Sequence, residues 1–488
     1  MMNARKSLLL GAAVVLSLAG CHPAPPDGSI VLTQTPVGVP PPQATTVMDV
    51  RYPPGSRVVL LVPPYGPDSV RELSRGLVAA GDPCVSWNGR YVYFTGKSAE
   101  NADWQIYQVE AGGGQPQRVT EQPGGAMDPA VAAHEELVFS SPVPKAGQLW
   151  NTHEPAALYG KLPDQAPHRL TFSPSSAVGA TVLHDGRILF VTAKPDDNRH
   201  GPTHLCLFTI NNDGTEVAAY AGQDDGADFV RRPRELRDGR IAFLAARAEG
   251  PEATAWAEGV RSAAPFATRG NLFPFPTDSC RSVEALSENE LLACIETPGT
   301  VGRSMTVNAA VYRFAADATA LDKPLFAQPQ WNSIEATPII ARTEPAGHTS
   351  AVMPTATRGT AFCLNVNDSI ASAADRNPAP ASALRVFALT GSGQQCDLGK
   401  VPVASDGSVL VYLPAGMPLG FDTLDGQGKL LRHQPAFVWL QPGENRACVG
   451  CHESRNHSPQ NLRPLAAQLE PSRLDLADPS PAPRAVMP

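Results

Sequence analysis

Hydrophobic and polar residues alternate in short runs along most of the chain, and turn residues separate the runs at regular intervals. Ser86-Trp87-Asn88-Gly89-Arg90 leads into Tyr91-Val92-Tyr93-Phe94-Thr95, then Gln105-Ile106-Tyr107-Gln108-Val109, a turn at Gly112 to Gly114, and Gln117-Arg118-Val119-Thr120. Period-two alternation bounded by Gly, Asn and Asp predicts strands joined by tight turns, here four strands in one unit. The unit recurs. Asp128-Pro129 opens the next, His134-Glu135-Glu136 turns into Leu137-Val138-Phe139, and His168-Arg169-Leu170-Thr171 closes it. His184-Asp185-Gly186-Arg187, Arg237-Asp238-Gly239-Arg240 and Ser287-Glu288-Asn289-Glu290 each precede a further apolar run. The turn positions 89, 135, 186, 239 and 289 lie 46, 51, 53 and 50 residues apart. Four-stranded blades repeated around an axis give this spacing. The prediction is an all-β chain with a β-propeller of six or seven blades over residues 51–345, its last unit (Trp331 to Arg342) closed by the strand Arg57 to Val62. A pair of β-sandwiches with accidental spacing is the alternative.

A second, smaller β region is expected over residues 346–440, after the Pro-rich passage Pro345 to Pro354. Thr360 to Val366, Leu384 to Leu389, Val409 to Leu413 and Leu419 to Leu424 alternate like strands, with Asp406-Gly407 and Asp425-Gly426 as turn signals. Ser372 to Ser382 reads as a loop. Residues 21–50 are rich in Pro and lack periodicity, which predicts an extended tether. Residues 461–488, with Pro471, Pro479, Pro481, Pro483 and Pro488, read as a disordered tail with too few apolar residues for a core.

Between the second β region and this tail, in residues 441–460, stands Cys448-Val449-Gly450-Cys451-His452. Two thiols at C-x-x-C spacing can bond the two vinyl groups of a haem, and the adjacent imidazole then becomes an axial iron ligand. The expected cofactor is one covalent haem c, held by Cys448 and Cys451 with His452 on the iron. A zinc half-site or a redox dithiol shares the spacing, but the first needs a second ligand pair nearby and the second a βαβ context.

The start of the chain bears on where a haem would be attached. Arg5 and Lys6 precede the apolar run Leu8 to Leu18, and Leu18-Ala19-Gly20-Cys21 follows. Residues 1–20 read as a secretory signal, and Leu-Ala-Gly-Cys resembles a bacterial lipobox, which implies lipidation of Cys21. An ordinary signal peptide with an incidental Cys is the alternative. The expected location is the bacterial periplasm, lipid-anchored, with the outer membrane favoured by His22 after the acylated Cys. Removing the signal leaves 37 bases against 47 acids, a net charge of −10. That argues against nucleic acid as a partner. Cys84, Cys206, Cys280, Cys294, Cys363 and Cys396 remain. In an oxidising compartment Cys280 with Cys294, and Cys363 with Cys396, are candidate disulfides, with free buried thiols as the other reading.

Two families resemble these patterns. The repeated units resemble TolB-type (WD40-like) propeller blades, with their Asp-Pro opening and D-G-[KR] turn. The run Val401-Pro402-Val403-Ala404-Ser405-Asp406-Gly407-Ser408, then Pro418-Leu419, Leu424-Asp425, Gln441-Pro442-Gly443-Glu444 and Cys448 to Glu453, resembles the middle domain of the hydrazine synthase alpha subunit and related bacterial proteins. That resemblance implies a propeller combined with a c-type haem. The synthase alpha subunit carries a second haem and works in a multi-subunit complex, whereas this sequence holds one C-x-x-C-H. Shared fold does not transfer chemistry.

What the haem does depends on the sixth ligand. Met353, Met417, His433 and His457 are candidates, and Glu453, Arg455, His457 and Trp439 are candidate haem neighbours. The leading expectation is a periplasmic monohaem cytochrome passing electrons to or from a redox partner. A haem oxidoreductase converting a small nitrogen, oxygen or peroxide species comes second, and a binding propeller with a structural or sensory haem third. Two acidic clusters, Asp196, Asp197, His200 and His204, and Asp224, Asp225 and Asp228, are weaker candidates for metal in loops.

Overall fold

The computed structural model describes residues 23–39, 52–143, 156–194, 204–222, 229–247, 254–275, 279–298, 307–369, 379–389, 395–434, 437–451 and 463–474. The repeated turn signature forms for local reasons. Gly186 and Gly239 take φ values of 89° and 78°, where a side chain would clash. The preceding Asp accepts from the amide two residues on, Arg187 N to Asp185 Oδ1 and Arg240 N to Asp238 Oδ1, both at 3.0 Å. Asn88 accepts from Arg90 N at 2.9 Å in the same way, so Asn serves where Asp is usual. The second turn has no Gly, and His134 and Glu135 are held at φ 59° and 57° instead, at about 1–2 kcal/mol each.

Six small antiparallel sheets follow from these turns among the described residues. One is ordered Trp331–Pro338, Ile30–Pro36, Arg57–Leu61, Val70–Glu72. The others run in chain order, opening with Ala79–Val85, Met127–Val131, Ala177–Val182, Phe229–Glu235 and Ser279–Ala285. Each opening strand touches the next, Ser279–Ala285 touches Trp331–Pro338, and Trp331–Pro338 touches Ala79–Val85. The sheets therefore form a closed ring, a β-propeller. Its closing sheet takes the innermost strand from residues 331–338 and the outer strands from the N-terminal part. Val31, Leu32, Val58, Val59, Leu60 and Leu61 there are fully buried. Ile30–Pro36 lies inside the stretch expected to be a tether: it pairs with Arg57–Leu61 on one side and with Trp331–Pro338, about 300 residues away, on the other, so no local repeat marks it.

The Asp-Pro openings turn out to be β-bulges on the innermost strands. Register shifts fall at Gly81/Cys84, Met127/Ala130, Val178/Thr181 and Arg231/Arg234, and Asp82, Asp128, Gly179 and Arg232 take φ between 52° and 63°. Bulges re-aim side chains. Asp82 and Arg232 meet Glu335 and Tyr52 in this way. Arg232 pairs with Glu335 and lies 3.8 Å from Asp82, Asp82 N donates to Glu335 Oε2 at 2.9 Å, and the Tyr52 hydroxyl sits between both carboxylates. Burial opposes both charges, yet the neighbouring carboxylates hold Arg232 well above its ordinary pKa, and Arg232 holds Glu335 below its own.

Residues 358–474 build a two-sheet sandwich. One sheet is ordered Asn445–Gly450, Arg358–Asn365, Val409–Pro414, Ser472–Arg473, and the other Gln395–Pro402, Ala383–Leu389, Leu419–Leu424, Leu430–His433. Val386, Val401, Val409, Val411, Leu413, Leu419 and Leu440 fill the space between. Part of the expected tail joins in: Ser472–Arg473 pairs with Val411 and Tyr412, and Ala466 and Leu474 are buried. The two candidate disulfides are absent. Cys280 and Cys294 are free thiols on adjacent strands, but one faces Val283 and Ala310 and the other Leu32 and Val59, on opposite faces of the sheet. Cys396 is also a free thiol.

The passage 339–357 packs across the propeller turns on its way to the sandwich. Arg342 stacks on Trp87 at 4.5 Å and donates to Val85 O at 2.6 Å. His348 N and Ala351 N donate to Asn212 and Asp213 side chains at 3.2 and 3.0 Å.

Candidate haem site

The motif is delivered by an edge strand, Asn445–Gly450, that runs parallel to Arg358–Asn365. Alternation sets its faces: Asn445 and Ala447 are exposed, whereas Arg446 and Cys448 share the less exposed face. Register places Arg446 beside Ala361 and Cys448 beside Cys363, and Ala361 and Cys363 pack against the sandwich core. Cys363, read from the sequence as a partner for Cys396, is thus the lateral neighbour of Cys448. Cys451 follows as the strand ends, and its amide donates to Asp368 O at 2.9 Å. Both motif thiols are half-buried. The loop beneath them is firmly held: Asn367 N donates to Asn365 Oδ1 at 3.0 Å, Ala381 N to Asn367 Oδ1 at 2.8 Å, and Arg432 Nη1 to Asn367 O at 3.5 Å. His452, Glu453, Arg455, His457 and Cys21 lie outside the described residues, as do Asp196, Asp197, His200, Asp224, Asp225 and Asp228.

Gln441-Pro442-Gly443-Glu444 fastens the start of this strand to the propeller. Gln441 Nε2 donates to Leu170 O at 2.9 Å. Glu444 accepts from Gln441 N at 2.7 Å and from Glu216 N at 3.0 Å. Burial raises the Glu444 pKa, against these two amides and Arg446, which favour the charged form. Arg446 Nη2 donates to Val217 O. Trp439 is buried at 3% exposure among propeller residues Leu158, Leu170, Ile188, Ile210 and Val217. The sequence singled out the Gln-Pro-Gly-Glu run by resemblance only. Its role depends on propeller turns more than 200 residues away.

The sixth-ligand candidates are dispersed. Cys363 pairs with Val409 and Arg358 with Pro414, so Cys448 lies at the Val409 end of the sandwich. Met417 is at the Pro414 end, packed against the core, and Met353 N donates to Pro442 O at that end too. Five residues of strand, about 16 Å, separate the two ends. His433 is on the outer face of the other sheet, its Nδ1 2.6 Å from Asp422 Oδ1 and its ring stacked on Phe387 at 5.7 Å. None of these three stands beside Cys448.

The residues present fit a covalent haem. Two half-buried thiols at the required spacing end a pinned strand, and on that strand Arg446 Nε and Nη1 are buried with no hydrogen-bond acceptor among the described residues. Buried polar groups are nearly always satisfied, so these donors call for an acceptor that the described residues do not supply, a water or a bound anion.

Residues 372–453 match the family model of the hydrazine synthase alpha subunit middle domain. The hydrazine synthase of Kuenenia stuttgartiensis is similar in structure, with a TM-score of 0.77 at 18% identity over 91% of this chain and 72% of that one. TolB of Acinetobacter baumannii aligns at TM-score 0.42 and 11% identity over 63% of this chain and 66% of that one. No curated protein matches the chain in sequence. The chain is thus similar to the hydrazine synthase alpha subunit middle domain in sequence over residues 372–453, and to hydrazine synthase in fold.

Proposed function

We propose that this protein is a periplasmic, lipid-anchored c-type haem protein that exchanges electrons with a partner through one covalent haem. Cys448 and Cys451 would hold the haem and His452 the iron. Bound there, it would supply a one-electron redox centre. The observation that carries the reading is the pinned edge strand, which fixes both thiols relative to sandwich and propeller at once. Rigid placement keeps reorganisation small during electron transfer. The similarity to an alpha subunit, a name that implies further subunits, supports a protein partner.

A second reading, a haem oxidoreductase acting on a small nitrogen, oxygen or peroxide species, draws on the dispersal of Met353, Met417 and His433. A haem held by Cys448, Cys451 and His452 without a further strong ligand would bind small molecules. The reduced absorption spectrum, taken with and without carbon monoxide, separates the two. A six-coordinate spectrum indifferent to carbon monoxide supports electron transfer; a carbon monoxide adduct supports the enzyme and overturns the first reading.

A further inference from the structure

We infer that Arg446 is a haem-propionate ligand, its buried guanidinium accepting the negative charge that the macrocycle brings to the joint between sandwich and propeller. The inference rests on the haem reading above. Its basis is the state of Arg446. An arginine cannot shed its proton in a protein and carries five N–H donors. The Arg446 side chain is only 13% exposed, yet among the described residues its hydrogen bonding ends with Val217 O at Nη2. Nε and Nη1 are buried without an acceptor.

The nearest carboxylate does not fill the gap. Glu444 Oε1 lies 3.9 Å from Nη1, beyond hydrogen-bond reach. Both of its oxygens already accept backbone amides, from Gln441 and Glu216. Leaving buried charged donors unmet costs several kcal/mol, so the geometry is one that only an added acceptor completes.

Position names the acceptor. Arg446 and Cys448 are two residues apart on one face of one strand, about 7 Å apart along it and within the breadth of a porphyrin. A haem bonded through Cys448 would carry its two propionates on the macrocycle edge away from the thioethers, and these would be the anionic acceptors it offers to Arg446. Trp439 Nε1, also without a partner, is buried in the cluster that contains Val217. A second buried donor thus faces the same joint.

The test compares Arg446→Leu with wild type in two backgrounds: the haem-loaded chain and the haem-free chain carrying Cys448→Ser and Cys451→Ser. Leu keeps the volume and removes the charge. In the loaded chain Arg446→Leu is expected to lower Tm and to lower the midpoint potential, because an unpaired propionate favours ferric iron; Arg446→Lys should restore part of the potential. In the haem-free chain the same change is expected to lower Tm less, since there Arg446 keeps only the Val217 O bond and the long 3.9 Å approach to Glu444 while two of its buried donors stay unmet. An equal fall in Tm in both backgrounds, or a potential that does not move, overturns the inference and leaves the haem reading intact. A wild-type chain without covalent haem overturns both. Should the Cys-to-Ser chain fail to fold, the potential and its rescue by Lys decide alone.

Discussion

Arg232 and Glu136 show how single buried charges govern this molecule. Arg232 sits at the propeller axis with Glu335, Asp82 and Tyr52 around it. Replacing it with Met strands two carboxylates in a buried place, and a loss of about 3–5 kcal/mol is expected. Chemical denaturation measures this, and the double change Arg232→Met with Glu335→Gln should lose less than Arg232→Met alone. Glu136 gives a pH signature instead. Burial, then Asp213, raises it from its ordinary 4.5 to about 7. The folded chain therefore binds an extra proton between those values, and its contribution to stability falls as pH rises through that window. His168, 3.5 Å away, is pushed down by burial and contributes in the opposite sense. The difference between wild type and Glu136→Gln isolates Glu136: relative to the variant, wild type should lose stability from about pH 4.5 to 7 and be flat above. Of these residues, Glu136 and His168 were marked in the sequence, as parts of a turn and a closing strand, without any sign of their charges' role. Which charges meet at the axis follows from the closed ring, and no local pattern carries it.

At the level of elements, the turns were legible and the joints were not. Asp-Gly-Arg specifies its turn within four residues, through a left-handed Gly and an Asp acceptor, so the hairpins at Gly186 and Gly239, and with Asn for Asp the one at Gly89, could be placed from sequence. The strand Ile30–Pro36 is held between Arg57–Leu61 and the distant Trp331–Pro338, and prolines on both sides disguised it. Leu474, in a stretch dense with proline, is buried because a single strand pair carries it to the core. Gly214 tests the joint itself. It takes φ 81°, and an added Cβ would lie 2.3 Å from Gln441 Nε2 and 2.6 Å from Leu170 O. Gly214→Ala is expected to loosen the contact between propeller and sandwich at a cost of about 1–3 kcal/mol. Limited proteolysis checks this: cleavage should appear in the 339–357 passage of the variant before it appears in wild type.

The whole molecule consists of a ring and a sandwich clamped together, with the C-x-x-C motif on a strand that belongs to one and is bonded to the other. The motif was legible because covalent haem chemistry fixes the spacing of its own ligands. The seat around it was not, since Arg446, Glu444 and Gln441 acquire partners only when propeller turns at Leu170, Gly214 and Val217 arrive. The central claim is covalent haem at Cys448 and Cys451. Haem staining of the denatured full chain, produced with cytochrome c maturation, tests it most directly. The account expects a stain that survives denaturation in wild type and is weakened or lost in Cys451→Ser; no stain in wild type, or equal staining in both, would contradict it.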